Sequence, residues 1–220
     1  MVSGGVEKAS SRAPVVIRDL LPGEVLTAVG VVARGMQDNP VHVAAYGGDA
    51  DHRCRVHGRL VSTLFAVSPS MQVIGAERDG VLVGVAASAP PATCQPGFSA
   101  RARLLVAAAA LGPFLAARVI AWNVRWARHD LAEPHVHLGP VAVDAGLRGQ
   151  GLGGALLREH TSWLDTAGVV GYLETDRAEA VGFYERFGYR VVGSVRILGV
   201  PTWLMRRPAA PLTRSRSGGR

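Results

Sequence analysis

Val141-Ala142-Val143-Asp144-Ala145-Gly146-Leu147-Arg148-Gly149-Gln150-Gly151-Leu152-Gly153-Gly154 is the stretch on which the reading of this chain turns. Residues 135–143 alternate like a strand leading into it, and residues 151–167 carry the longer period of a helix leading out. Glycines at such a junction let the backbone turn tightly and approach a ligand closely. The first helical turn has unpaired N–H groups and a partial positive charge, which together suit a pyrophosphate. Arg148 adds a full positive charge. The physics specifies a phosphate cradle made of Arg148, Gly149, Gln150, Gly151, Leu152, Gly153 and Gly154, and leaves its ligand open.

Three ligand classes compete for that cradle. A nucleoside-triphosphate loop needs Lys and then Ser or Thr after the last glycine, and here Ala155 follows Gly154. A dinucleotide fold is a closer rival, because Gly149, Gly151 and Gly154 satisfy G-x-G-x-x-G. Glu174 even stands where a ribose-binding acid is expected. Against it, Asp144 to Leu147 separate the strand from the glycines, and only 66 residues follow Gly154, too few for the remaining parallel strands. The third class fits. The segment resembles the coenzyme A signature of the GNAT acetyltransferase superfamily, Arg or Gln followed by x-x-Gly-x-Gly or Ala, which Arg148, Gly151 and Gly153 meet. Val141-Ala142-Val143-Asp144 is similar to the strand that precedes it. Ala180-Val181-Gly182-Phe183-Tyr184-Glu185-Arg186-Phe187-Gly188-Tyr189 resembles the family's second hallmark, a helix followed by Gly and an aromatic. The matched region runs over residues 135–197.

The resemblance implies one α/β (α+β) domain, with a mixed, mostly antiparallel sheet of about seven strands flanked by helices and two central parallel strands that splay apart. It implies acetyl-coenzyme A as acyl donor and a primary amine, probed first among small molecules, as acceptor; a protein or peptide N-terminus is a second acceptor class. The pantetheine arm would pair with the backbone of Val141, Ala142 and Val143, with an N–H near Val141 polarising the thioester carbonyl. The amides of residues 149–154 would hold the pyrophosphate. Arg177 stands where many relatives have a cofactor-contacting asparagine; its charge either reaches a phosphate or is solvated. Tyr184 matches the tyrosine that protonates the leaving thiolate, a sensible role for a phenol of pKa about 10. His137 occupies the position of the family's glutamate base, and an imidazole can serve near neutral pH. His135, two residues earlier, faces the same side. No metal is expected, because the two histidines have no third ligand at matching spacing. A non-catalytic acyl-coenzyme A binding module is the rival function.

Composition bounds the rest. The chain has 220 residues, 48% hydrophobic and 19% charged, as a single globular domain should. Its net charge of +7 is almost all arginine, with Lys8 the only lysine. That favours an anionic ligand, while the lack of basic patches with interleaved aromatics argues against nucleic acid. The apolar run 104–117 falls short of the about 20 residues a membrane span requires and is broken by Gly112 and Pro113. No signal peptide is read at the N-terminus, so a cytoplasmic location with no membrane partner is expected. The chain could pair as a homodimer. Cys54 and Cys94 read as ordinary thiols. Residues 1–14 are expected to be a flexible lead-in, 15–207 the domain and 208–220 a disordered basic tail. A helix is expected over 24–34, irregular chain over 35–52, a helix over 53–65, and a hairpin of strands 71–78 and 81–88 turning at Asp79-Gly80. Residues 89–134 read as a loop followed by an apolar helical insertion able to shape the acceptor pocket. In it Trp122 and Trp126, with Trp203 further on, are core or pocket wall.

Overall fold

The computed structural model describes residues 14–211, so the expectations for residues 1–13 and 212–220 lie outside the described residues. Strands β1 (Val16–Asp19), β2 (Gln72–Arg78) and β3 (Val81–Ala89) run antiparallel, and Asp79-Gly80, both at positive φ, turn β2 into β3. β4 (His135–Val143) pairs antiparallel with β3 and parallel with β5 (Val170–Thr175). β7 (Val200–Arg207) lies antiparallel to β5, and β6 (Arg190–Ile197) antiparallel to β7. The sheet has seven strands in the order β1-β2-β3-β4-β5-β7-β6. It is mostly antiparallel, with a single parallel step at its centre, as the resemblance implied.

Seven α-helices and two short 3₁₀ turns, Pro22–Glu24 and Ala145–Leu147, complete the chain's described part. The α-helices are α1 (Val25–Met36), α2 (Pro40–Tyr46), α3 (Ala50–Val67), α4 (Phe98–Ala109), α5 (Pro113–Ala127), α6 (Leu152–Ala167) and α7 (Ala178–Glu185). Strand alternation sorts the side chains between two faces. Val85 of β3 and Ala142 of β4 join Val31 and Val32 of α1, whereas Ala86 and Leu138 join Leu152, Leu156 and Leu157 of α6. Helices α2 and α5 add Val41, Tyr46 and Trp122 to a further cluster with Tyr172, Ile197 and Leu204. Leu152, Leu156, Leu157 and Leu164 are almost completely buried, each contributing about 1.5–3 kcal/mol of transfer free energy. Truncating Leu156 to Ala in this core should cost about 2–5 kcal/mol.

Two expectations change. Residues 35–52, expected to be irregular, contain helix α2, whose ends fall at Asn39-Pro40 and Gly47. Pro40 occupies the first turn, where its missing N–H is harmless, and Gly47 at φ 62 terminates the helix. The apolar insertion is two helices, because Gly112 at φ 91 reverses the chain and Pro113 starts α5. Trp122 belongs to the core, packed edge-on against Trp126. No described helix is long and apolar enough to cross a membrane.

Candidate functional site

The site begins where the sheet opens. β4 and β5 share three rungs, His135 with Val170, Val136 with Gly171 and His137 with Tyr172, and then part. On its other edge β4 stays on β3 but carries one extra residue, since Ser88 faces Leu138 while Ala86 faces Val141. Such a bulge bends the strand and re-aims its groups. Past the bulge the Asp144 N–H donates to the Val83 carbonyl at 3.0 Å. Alternation along the strand therefore turns Ala142 toward β3, and the N–H groups of Val141 and Val143 away from it, toward the side β5 has left.

The glycine loop lies directly beyond. Gly149 (φ 74) and Gly151 (φ 84) adopt left-handed conformations, and Gly151 is the N-cap of α6 with no side chain capping the first turn. A Cβ at either position would meet nothing within 4 Å, so the loop faces open space. Leu152 is 1% exposed and anchors the helix below, and Gly153 lies against Phe183. Gln150 is tied back by Arg78, whose guanidinium donates at 2.6 Å. Arg148 does not point free into the loop. It forms a two-pronged pair with Asp38 at 2.8 Å and also donates to the Gly35 carbonyl. Those hydrogen bonds first, and the guanidinium charge, hold Asp38 at about 2. Arg177 reaches the same Asp38 at 3.5 Å and pairs with Glu179 at 2.7 Å. The two arginines read as phosphate contacts are thus gathered around one carboxylate, leaving the loop amides as the open donors.

Tyr184 projects from α7 between Phe183 and Tyr189. It borders the same apolar cluster as Val141 and Val143, so the candidate acid and the open strand edge share one wall. Burial, and then the Asp176 charge, push its phenol up to about 12, which keeps it protonated. Asp176 itself accepts the Val41 N–H at 2.6 Å, at the start of α2.

The histidines are not alone. His137 Nε2 lies 2.8 Å from Glu174, a carboxylate whose side chain is 3% exposed. Burial opposes charge on this ring, but Glu174 and hydrogen bonds to Cys94 and Glu174 outweigh it and push His137 up to about 10. An unpartnered imidazole, the form expected of a lone base, is therefore not what stands at residue 137. His135 donates from Nδ1 to the Glu133 carbonyl at 2.9 Å, and its Nε2 lies 3.0 Å from Asp130 and 3.8 Å from Cys94 Sγ. Cys94 lies 3.2 Å from the other Asp130 oxygen. Hydrogen bonds to His135 and then His137 lower the thiol below its ordinary range. Both rings pack against Tyr172.

Reading the sequence missed Glu174, Cys94, Asp130 and Asp38 as members of these groupings. Glu174 had a signal in strand alternation, being two residues past Tyr172, the partner of His137. Cys94 and Asp130 had none, because they meet β4 only through the folding of residues 89–134.

Comparison with known proteins agrees with the fold. The sequence profile of the acetyltransferase (GNAT) family matches residues 49–189. A Corynebacterium glutamicum crystal structure, described as histone acetyltransferase HPA2 and related acetyltransferase, superposes with a TM-score of 0.65 at 18% identity, covering 90% of this chain and 99% of that one. A Brucella melitensis GNAT family acetyltransferase in complex with acetyl-CoA has a TM-score of 0.52 at 19% identity, covering 90% of each chain. The ribosomal-protein-S18-alanine N-acetyltransferase of Escherichia coli has a TM-score of 0.54 at 16% identity, covering 91% and 97%.

Proposed function

The chain belongs to the acetyltransferase (GNAT) family, and from that premise we propose that it transfers an acetyl group from acetyl-coenzyme A to a primary amine of a small molecule. The observation that carries this reading is the pair of N–H groups, Val141 and Val143, turned into the fork of β4 and β5 directly before an uncapped helix start. An amide-bearing arm laid in the fork would pair with Val141 and Val143 as a strand does. The amides of residues 149–154 would receive the pyrophosphate at the start of α6. The donor supplies a thioester whose carbonyl carbon is open to attack. Val141 N–H stabilises negative charge on the carbonyl oxygen as the C–N bond forms and the C–S bond breaks.

Two proton movements remain for the chain's side chains. Tyr184, protonated throughout the neutral range, gives its proton to the departing thiolate. The amine's proton goes to Glu174, which His137 holds in place, rather than to His137 itself. His137 donates from Nε2 to this carboxylate at 2.8 Å, and the carboxylate's remaining lone pairs face the incoming proton. Arg148 and Arg177 brace the loop through Asp38 in this reading, with phosphate contact a secondary role.

Acetyl-coenzyme A should raise the melting temperature, and a panel of amines should release free thiol in its presence. Absence of stabilisation at millimolar donor would overturn the donor site; stabilisation with no turnover on any amine would instead favour a binding module. Glu174→Gln should lower kcat by about 10²- to 10⁴-fold, the usual worth of a proton acceptor, and His137→Gln, which loses only its positioning partner, by less.

A further inference from the structure

Cys94, Asp130, His135 and His137 each offer one ligand atom, and these atoms lie within 4.8 Å of one another. We propose that this cluster is a zinc site that clasps the α4–α5 insertion to β4. The donors come from three separate places: Cys94 from the loop before α4, Asp130 from the loop after α5, and both histidines from the parallel rungs of β4.

The spacing of the ligand atoms is close to what a tetrahedral cage needs. Zinc bonds of about 2.0–2.3 Å to N, O and S put neighbouring ligand atoms about 3.3–3.8 Å apart. Three separations here lie at the edge of that range or just under it, so that an ion would spread the ligands by a few tenths of an ångström: Cys94 Sγ to His135 Nε2 at 3.8 Å, Cys94 Sγ to Asp130 Oδ2 at 3.2 Å, and His135 Nε2 to Asp130 Oδ1 at 3.0 Å. The surroundings orient the ligands as metal sites do. His135 can only donate from Nδ1 to the Glu133 carbonyl, which leaves Nε2 as the ligand nitrogen. His137 gives Nε2 to Glu174, leaving Nδ1. Gln95 and the Leu131 N–H hold Asp130 at 2.9 and 3.0 Å.

The chemistry selects the ion. One sulfur, two imidazole nitrogens and one carboxylate oxygen favour a borderline-soft dication over magnesium or calcium. Thiolate and carboxylate together balance its two positive charges. Four protein ligands fill a tetrahedral shell, which marks a structural site rather than a catalytic one with an open position. A cysteine nucleophile relay fits less well. Cys94 and Asp130 both meet Nε2 of His135, whereas a relay needs the acid on the opposite nitrogen.

The inference goes beyond acetyl transfer and shares only His137 and its partner Glu174 with the proposed reaction, and its readouts are optical and stoichiometric, distinct from turnover. The full chain, stripped with a chelator, should take up one equivalent of zinc. With cobalt it should develop visible d–d bands and a near-ultraviolet thiolate-to-metal band. Cys94→Ser should abolish the thiolate band, and Cys54→Ser should leave it intact. His135→Gln should weaken zinc binding by more than about 100-fold, and Glu174→Gln, an outer partner, by about tenfold. Absence of cobalt bands, or bands that survive Cys94→Ser, would overturn the site. Circular dichroism of each variant separates ligand loss from misfolding.

Discussion

Gly35 shows how much one missing methyl group decides here. A Cβ at that position would lie 2.8 Å from the Val143 carbonyl oxygen and 2.9 Å from the Ala142 Cβ, so α1 can approach β4 only at a glycine. Gly35→Ala should lower stability by about 1–3 kcal/mol in urea denaturation, since backbone and not a flexible tip must give way. Because the displaced strand carries Val141 and Val143, donor affinity should fall too. Tyr184→Phe is the opposite kind of change. It should lower kcat by about 10²-fold or more while the KM for donor and the melting temperature move little. At this scale the sequence was legible wherever a residue's job depends on near neighbours. Gly151 and Tyr184 stand in local motifs, whereas the partners of His137 arrive from β5 and the α4–α5 insertion. The carboxylate that changes His137 from free base to paired ring is 37 positions away in sequence and 2.8 Å away in space.

Among elements, α6 bears on the fold and, in the proposed reading, on the donor, and its glycines serve different ends. Gly151 sits at φ 84, where a side chain costs about 1–2 kcal/mol, so Gly151→Ala should destabilise the protein and weaken donor binding together. Gly154 lies inside the helix, and a Cβ there would find ordinary contacts at 3.5 and 3.8 Å. Gly154→Ala should therefore raise stability by about 0.5–1 kcal/mol. Thermal melts of the two variants should move in opposite directions. The strands and α6 could be read in advance because their periodicity and turn residues agree. Helix α2 could not, because its seven residues give too short a period and its proline and glycine caps look like interruptions. The fork of β4 from β5 was expected only from resemblance, since nothing local marks where a parallel pair stops.

For the whole molecule, pH acts through histidines buried without charge. His160 is 4% exposed and bridges Ser88 of β3 and Tyr189 just before β6, at 3.1 and 3.0 Å. Burial, and then the Arg207 charge, push it down to about 4. An unfolded histidine titrates near 6.5, so the unfolded chain takes up protons first as pH falls. The stability tied to neutral His160 is present above about 6.5 and is lost progressively toward 4, about 3 kcal/mol in all. His57 and His42, both lowered first by burial, act in the same direction. Urea midpoints should fall between pH 7 and 4.5, more steeply in the parent than in His160→Gln. Equal slopes would remove His160 from the account.

The three rungs between β4 and β5 have one further consequence. Along that line the molecule is two half-sheets, β1 to β4 and β5 to β6, joined by a short seam. Val141 and Val143 are an internal selvedge, unstitched until an amide-bearing arm lies along it. In deuterated water their amides should exchange quickly in the free chain and slowly once donor is added, while Ala142, hooked to β3, should change little. The thread that closes the fabric would then be the molecule the protein consumes, and every turnover would open the seam again.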